Sequence, residues 1–575
     1  MLGALRPYKW QVAAVIVLQL VQVIASLLLP NMHARIVDDG IVAGDMGYIW
    51  NAGGIMLLIA AAQVLTSIAA IWFSSTVAMS VGRDLRSQVF RKIQTFSTAE
   101  ISKFGPPTLI TRNTNDVNQV QMLVQMSLMI MVTAPLMLFG GVAMAIGQDP
   151  ALSTLLVFTV PAVVIIIALT MWRMTPHFER MQKRIDRINL VLREQIAGVR
   201  VIRAFVAERR ENARFEEAND RLFDTSLSVG RIMALLFPLF FYIISLTQVA
   251  VVWVSGIRVE AGDMQIGAMS AFLTYLMFIM GAIMMSSFML MMIPRAGVSA
   301  GRIAEVLNTD PTVLPPAQPV DLPEGPLSVV ADGVTFGYPD ADDDVLHEVS
   351  FEARPGSTTA IIGSTGSGKS TLVRLLPRLA DPTGGELRLG GVPLHQLRNR
   401  DLVRAIGYVP QTAYLFSGTI ADNLRYGKPE ATEDDMWRAL RLAAAEDFVR
   451  DLADGLDSEV ESGGTNFSGG QRQRLAIARA IVGDPRVYVF DDSFSALDYA
   501  TDARVRRNLE EVAQNAVVLI VAQRVSTIAG AEQILVLEHG RIVGRGTDGE
   551  LRATCQTYQE IVHSQAALAE GGSDV

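Results

Sequence analysis

Apolar residues dominate this 575-residue chain before about position 300, in six runs long enough to cross a bilayer, which takes roughly 20 helical residues. The runs lie at about 10–30, 48–78, 122–147, 150–173, 230–257 and 266–293. Everything after them has ordinary globular composition. A chain of this length exceeds one core, so several domains are expected. The net charge of −9, with no basic stripe in the second half, argues against a nucleic-acid partner. Cys555 is the single cysteine, which excludes an internal disulfide and reads as an inert thiol. The stretch 10–29 is long enough to span and is followed by no small-residue cleavage site, so it reads as a span rather than a cleavable signal.

Two segments between spans, 81–120 and 174–231, are long, polar and helix-patterned. They carry Arg83, Arg86, Arg91, Lys92 and Arg112 in the first, and Arg180, Lys183, Arg184, Arg187, Arg200, Arg203, Arg209 and Arg210 in the second. The opposite loops are short or acidic, as at Asp38 and Asp39 or Glu260 and Asp263. The positive-inside bias puts both long segments and both termini in the cytoplasm, in a multi-pass protein of the plasma (inner) membrane with the lipid bilayer as its surroundings. Residues 113–117 and 194–205 are the expected turning points of these extensions. They read either as a solvated helical hairpin or as contact elements for the second half of the chain.

Residues 308–319 include Pro311, Pro315, Pro316 and Pro319 and read as a stiff, extended linker. Strand-like alternation starts at Leu327. An apolar strand from Thr358 runs into Gly363, Ser364, Thr365, Gly366, Ser367, Gly368, Lys369 and Ser370, and a helix-like segment follows from Thr371. A glycine-rich turn alone is a weak signal, but this spacing in a strand–loop–helix context is a strong one for a phosphate loop. Its glycines let backbone N–H groups turn toward phosphates, Lys369 reaches the β- and γ-phosphates, and Ser370 offers a hydroxyl to Mg²⁺. Val487, Tyr488, Val489 and Phe490 lead into Asp491 and Asp492, the metal and nucleophile side of an ATPase site, where Asp491 can hold Mg²⁺ through water. Tyr338 can stack on adenine, and Gln411 can reach Mg²⁺ or the attacking water; alone, each is an ordinary turn or strand-end residue. Ser468, Gly469, Gly470 and Gln471 open a long helix whose free N–H groups make an anion site. Asp498 follows the strand acids in Ser495, Ala496, Leu497, Asp498.

In this order the motifs resemble those of the ATP-binding cassette (ABC) family, and with six preceding spans the whole chain resembles an exporter-type half-transporter. The expected architecture is an α-helical six-span transmembrane domain (1–307), a linker (308–325) and an α/β P-loop nucleotide-binding domain (326–575), with ATP and Mg²⁺ as cofactors. The resemblance implies that two such chains pair. Each composite ATP site then takes the phosphate loop and strand acids of one chain and the Ser-Gly-Gly-Gln signature of the other. It also implies that 113–118 and 198–205 are coupling helices that dock on the nucleotide-binding domains. Pro107 departs from the pattern, since family members often carry Gly there.

Asp492 stands where such a site wants a Glu to polarise the attacking water, and Gln523 where it wants a His to contact the γ-phosphate. Asp is one methylene shorter than Glu, and a misplacement of about 1 Å can cost ~10²-fold in rate. Gln can donate a hydrogen bond but cannot carry the charge or the proton of a His. None of His33, His177, His347, His395, His539 or His563 occupies the switch position. With the signature intact, the chain resembles the catalytically degenerate subunit of a heterodimeric multidrug- or lipid-type exporter, whose partner half-transporter carries the Glu and the His. The sixth span holds Met277, Met280, Met284 and Met291 on one helical face, and the third adds Met126, Met129 and Met137; such a surface suits hydrophobic or amphipathic small molecules, or simple packing. No ionisable residue lies deep in a span, so an intramembrane ion relay is not supported. An ATP-gated channel or sensor, and an uptake system for lipid or siderophore, stand as alternatives.

Overall fold

The computed structural model describes residues 2–339 and 341–571, apart from the side chains of Leu2, Met291 and 566–571. The chain divides into two compact units, one of Met1–Lys92 with Pro107–Asn308 and one of Ile93–Pro106 with Thr309–Val575.

The first unit is helical. Six stretches are long and apolar enough to cross a membrane: Gly3–Val42, Met46–Ile93, Pro106–Gln148, Pro150–Ala197, Glu208–Glu260 and Ile266–Asn308. The helix Glu208–Glu260 has 53 residues. At 1.5 Å per residue that is about 80 Å, far more than a hydrocarbon core of about 30 Å, so the polar extensions continue the spans as helix. The third stretch breaks at Met131 and Val132, just before Pro135, which has no N–H for the Met131 carbonyl. Asp149 caps the fourth helix by accepting the Leu152 N–H at 2.9 Å, with Pro150 in the first turn, where its missing N–H is harmless. The same Asp149 pairs with Arg258 at 3.2 Å.

One turning point differs from the sequence reading. The second span's extension ends at Ile93, and the chain reverses through the short helix Thr98–Phe104. Ser97 starts that helix in a capping box: its Oγ accepts the Ala99 N–H at 3.1 Å, and its own N–H donates to Glu100 at 2.6 Å. Gly105, at φ 74°, stops the helix, and Pro106 starts the next. Residues 113–117 therefore do not form the turn; Arg112–Asp116 is a π-helical stretch inside the returning helix. The local start and stop signals at Ser97, Gly105 and Pro106 outweigh the polar run, whose Asp116 is instead buried and accepts the Ser299 hydroxyl at 2.7 Å. The other turn falls where expected. Gly198 separates Pro150–Ala197 from the short helix Val199–Ala204, followed by exposed Phe205 and Val206.

The methionines of the sixth span lie on one continuous helix, Ile266–Asn308, but differ in burial. Met280 is buried in the bundle and Met277 is exposed, while Met284 lines a small cavity with Met171, Met174, Phe237, Phe240 and Phe288. The Met291 side chain is outside the described residues.

The second unit is built on two large sheets, with a two-stranded ribbon of Gly418–Thr419 and Glu459–Val460 beside them. Strands β1 (Val329–Phe336), β2 (Leu346–Ala353), β4 (Gly384–Leu389) and β5 (Val392–Pro393) form an antiparallel sheet in the order β2-β1-β4-β5. The other contains β3 (Thr358–Ile362), β6 (Ile406–Val409), β7 (Val487–Asp491), β8 (Val517–Val521), β9 (Gln533–Glu538) and β10 (Arg541–Gly546), in the order β10-β9-β3-β8-β7-β6, parallel except for β10. Strands β7 and β8 are buried along their whole length, which explains their unbroken apolar sequence. Alternation sends Tyr488, Phe490, Val518 and Ile520 into one core and Val487, Val489, Leu519 and Val521 into the other. The neighbours β3, β8, β7 and β6 all point the same way, so the residues after their C-terminal ends, where open α/β sheets bind ligands, are gathered at one edge: Gly363, Gln523, Asp492 and Gln411.

Candidate nucleotide site

The loop leaving β3 is shaped by its glycines. A Cβ on Gly363 would lie 2.0 Å from the Leu537 carbonyl oxygen, so no larger residue fits. Gly368 has φ 96°, a left-handed conformation natural to glycine, and it opens the helix Lys369–Leu375 with no side-chain cap. The first N–H groups of that helix are therefore free to meet an anion. Lys369 Nζ sits within this loop and donates to the carbonyls of Gly363 at 2.8 Å and Ser364 at 2.7 Å. Burial pushes the Lys369 pKa down, partly opposed by Asp492 and Asp491.

Ser370 Oγ donates to Asp491 Oδ1 at 2.6 Å, and Tyr408 donates its hydroxyl to the other oxygen at 3.3 Å. Asp491 is completely buried, with Arg374 at 3.8 Å. A serine hydroxyl beside an aspartate is a hard oxygen pair of the kind Mg²⁺ takes, with water and phosphate oxygens completing the shell. Among the described residues no group of three or more His, Cys, Asp or Glu side chains is placed to hold a metal ion.

Asp492 begins the turn after β7. Its φ of 50° is left-handed, a region in which Asp and Asn are enriched among non-glycine residues. Its N–H donates to the Val521 carbonyl at 3.0 Å, tying it to β8. Oδ2 of the carboxylate accepts Nε2 of Gln523 at 2.8 Å and Nε2 of Gln411 at 3.2 Å. Burial raises the Asp492 pKa; hydrogen bonds from Gln411, Ser495 and Gln523 oppose that rise, and nearby Asp491 adds to it. The Gln411 amide thus hydrogen-bonds to Asp492 rather than to the Ser370–Asp491 pair.

A cleft of about 270 Å³ brings together Thr365, Gly366, Gly368, Lys369, Ser370, Thr371, Gln411, Asp492 and Gln523, with Val345 and Val521. Tyr338 is partly exposed beside it, edge-on to Phe336 at 5.1 Å, with its hydroxyl 3.3 Å from Thr371 Oγ1. Ser468, Gly469, Gly470, Gln471 and Asp498 do not line this cleft. Ser468 and Gln471 form a capping box at the start of Gly469–Ile481, and Asp498 caps Tyr499–Ala513 through the Thr501 N–H at 2.9 Å. The sequence reading missed Tyr408 and Val345. Tyr408 lies three residues before Gln411 at the end of β6, the one local hint that it shares the site.

Six spans joined to a cassette with this cleft define an ABC transporter of the exporter kind. The chain matches the ABC transporter transmembrane region family over residues 12–283 and the ABC transporter family over 346–495. It is 48% identical over 572 residues to an uncharacterized ABC transporter ATP-binding protein of Mycobacterium tuberculosis, covering 99% of this chain and 98% of that one. It is 34% identical over 571 residues to the uncharacterized ABC transporter ATP-binding protein YfiB of Bacillus subtilis, covering 98% of each. A multidrug efflux ATP-binding/permease protein of Mycobacterium tuberculosis is 32% identical over 547 residues, which cover 95% of this chain and 46% of the relative. Among solved structures, a bacterial Atm1-family ABC exporter with ATP bound superposes with a TM-score of 0.78 at 26% identity, covering 98% of both chains. The chain belongs to the ABC transporter family. As such it is a multi-pass membrane protein whose cassette binds ATP, normally with Mg²⁺, and couples ATP hydrolysis to transport.

Proposed function

We propose that this chain is the weakly hydrolytic half of a heterodimeric exporter of the plasma (inner) membrane, with its termini and cassette in the cytoplasm. Its cassette is residues 326–575, joined by the linker 308–325 to the transmembrane domain 1–307. The observation that carries the reading is the pair at the head of the cleft: Asp492 and Gln523, hydrogen-bonded at 2.8 Å, stand where a hydrolytic site of this family uses Glu and His. Lys369 and the loop N–H groups bind the ATP phosphates, Ser370 and Asp491 hold Mg²⁺, and Tyr338 stacks on adenine. The bound ion neutralises phosphate charge. What the site lacks is a base long enough to orient water and a switch residue able to carry charge at the γ-phosphate. Losing one such oriented group typically costs about 2–4 kcal/mol of transition-state stabilisation. ATP is therefore held here longer than it is cleaved.

Ser468, Gly469, Gly470 and Gln471 serve the partner's site, whose Glu and His carry most of the turnover. Nucleotide-driven closure of the two cassettes shifts the spans from inward- to outward-facing, as a population shift between two states. The cargo is a hydrophobic or amphipathic small molecule. Support comes from the cavity lined by Met171, Met174, Met284, Phe237 and Phe288, a flexible apolar wall, and from the similarity to a relative named for multidrug efflux. Inverted vesicles carrying this chain and its partner test the transport half of the reading. ATP-dependent uphill accumulation of a lipophilic dye is the expected result; ATP-dependent equilibration without accumulation would make the protein a gated channel instead.

A further inference from the structure

Gln523 is braced by a residue 42 positions further along the chain. Gln565, on the C-terminal helix Gln556–Gly571, donates Nε2 to the Gln523 carbonyl at 2.7 Å and accepts the Val525 N–H on Oε1 at 2.9 Å. The second bond fills a specific deficit. Val525 opens the helix Val525–Ile528, whose N-cap residue Arg524 supplies no side-chain cap. A first helical N–H has no acceptor within its own helix. Val525 is only 6% exposed, and a buried donor left unpaired costs more than an average hydrogen bond gains. Gln565 therefore acts as a cap supplied from a distant part of the chain.

The opposite flank of the switch segment is held as well. The Arg524 guanidinium lies 5.0 Å from the ring centroid of Tyr499, the first residue of the helix that follows Asp498. Gln523 itself reaches forward to Asp492. One side chain of the C-terminal helix thus spans the backbone on both sides of Arg524, directly behind the residue that faces the cleft.

We propose that Gln565 is a positioning residue for Gln523, and that through it the C-terminal helix sets how long this site retains nucleotide. Because Gln565 bonds only to backbone groups, the inference holds whatever the partner carries and does not rest on the weak-site reading. With the brace removed, the 523–525 backbone gains freedom, Gln523 spends less time in register with the cleft, and bound nucleotide escapes sooner. Two neutral hydrogen bonds of ordinary strength correspond to an effect of roughly 5- to 150-fold.

The test uses the assembled full-length transporter loaded with a fluorescent ATP analogue and measures its release rate. The phase that disappears in Lys369→Ala belongs to this chain's site. Gln565→Met keeps the length and volume of the side chain and deletes both hydrogen bonds. It should speed that phase roughly fivefold or more while leaving the other phase unchanged; the melting temperature should fall modestly, because the buried Val525 N–H loses its acceptor. An unchanged release rate in Gln565→Met would overturn the proposal. If the variant fails to assemble, residue-resolved amide exchange on the unmodified transporter decides the point: Val525 N–H should exchange as slowly as the amides of β8, and exchange at the rate of an open helix end would equally overturn it.

Discussion

Gln523 donates its side-chain amide to the carboxylate of Asp492 across 2.8 Å, and Gln411 donates to the same oxygen at 3.2 Å. On the proposed reading this carboxylate orients water, and it is held by two neutral amides, neither of which can relay a proton or add positive charge at the γ-phosphate. Replacing Asp492 by Glu and Gln523 by His should make this half catalytic. The measurement silences the partner's catalytic Glu by mutation to Gln, then compares turnover with and without the double change. A gain of at least ~10²-fold is expected, one oriented group being worth about 2–4 kcal/mol. Asp492→Glu alone should recover less, partly because the φ of 50° suits Asp better than Glu. No gain from the double change would mean that the partner's signature or cassette closure limits this site.

The two halves of the ATP machinery on this chain should fail differently. Ser468→Arg places a bulky cation at the start of the signature helix, next to Gly469 and Gly470, and should nearly abolish ATPase activity of the assembled pair. Lys369→Ala removes the ammonium that lies in the phosphate loop and should leave part of the turnover, because on the proposed reading the site it serves contributes little to it. Steady-state phosphate release from both variants, at matched assembly, checks the difference. Equal and complete loss would argue against the division of labour.

The short helix Thr98–Phe104 depends on Ser97 and Glu100, both buried. Ser97→Ala should cost about 1 kcal/mol of stability, the usual value of an N-cap. Glu100 accepts the N–H groups of Ser97 at 2.6 Å and Thr312 at 3.1 Å. Burial raises its pKa, but hydrogen bonds from Ser97 and Thr312 outweigh burial and hold the carboxyl below the usual Glu range. A depressed carboxyl stabilises the fold above its unfolded pKa, about 4.3 for Glu, and loses that contribution as pH falls through the folded value. Glu100→Gln should therefore melt lower than wild type at neutral pH, and the gap should close on acidification. A gap that is constant with pH would show that the ionised carboxylate is not what stabilises the turn.

Much of this architecture is legible in the chain itself. Spans announce themselves through length and hydropathy, and the phosphate loop through a strand, three glycines and Lys369 in fixed spacing. Asp491 and Asp492 are legible because β7 is a parallel strand buried on both faces, so its apolar run ends where the sheet edge begins. Other features depend on three-dimensional neighbours. The turn after the second span is harder to place from sequence, because a run of Asn and Asp outweighs the weaker-looking signals Ser97, Glu100, Gly105 and Pro106, which are the ones that act on backbone N–H groups. Helical spacing puts Met277 and Met280 on one face, but it does not give their burial: packing against neighbouring helices buries Met280 and leaves Met277 exposed. Gln565 carries no local mark at all; only the fold brings it to the backbone beside Gln523.

ATP turnover by this chain alone, compared with turnover when it is co-expressed with a half-transporter carrying the Glu and the His, tests the asymmetric assembly most directly. Purified alone, the chain should bind ATP and release phosphate near background. Paired, it should support brisk turnover that depends on its own Ser468 and on the partner's Glu. Brisk turnover by a verified homodimer of this chain would contradict the account, since Asp492 and Gln523 would then be sufficient for hydrolysis.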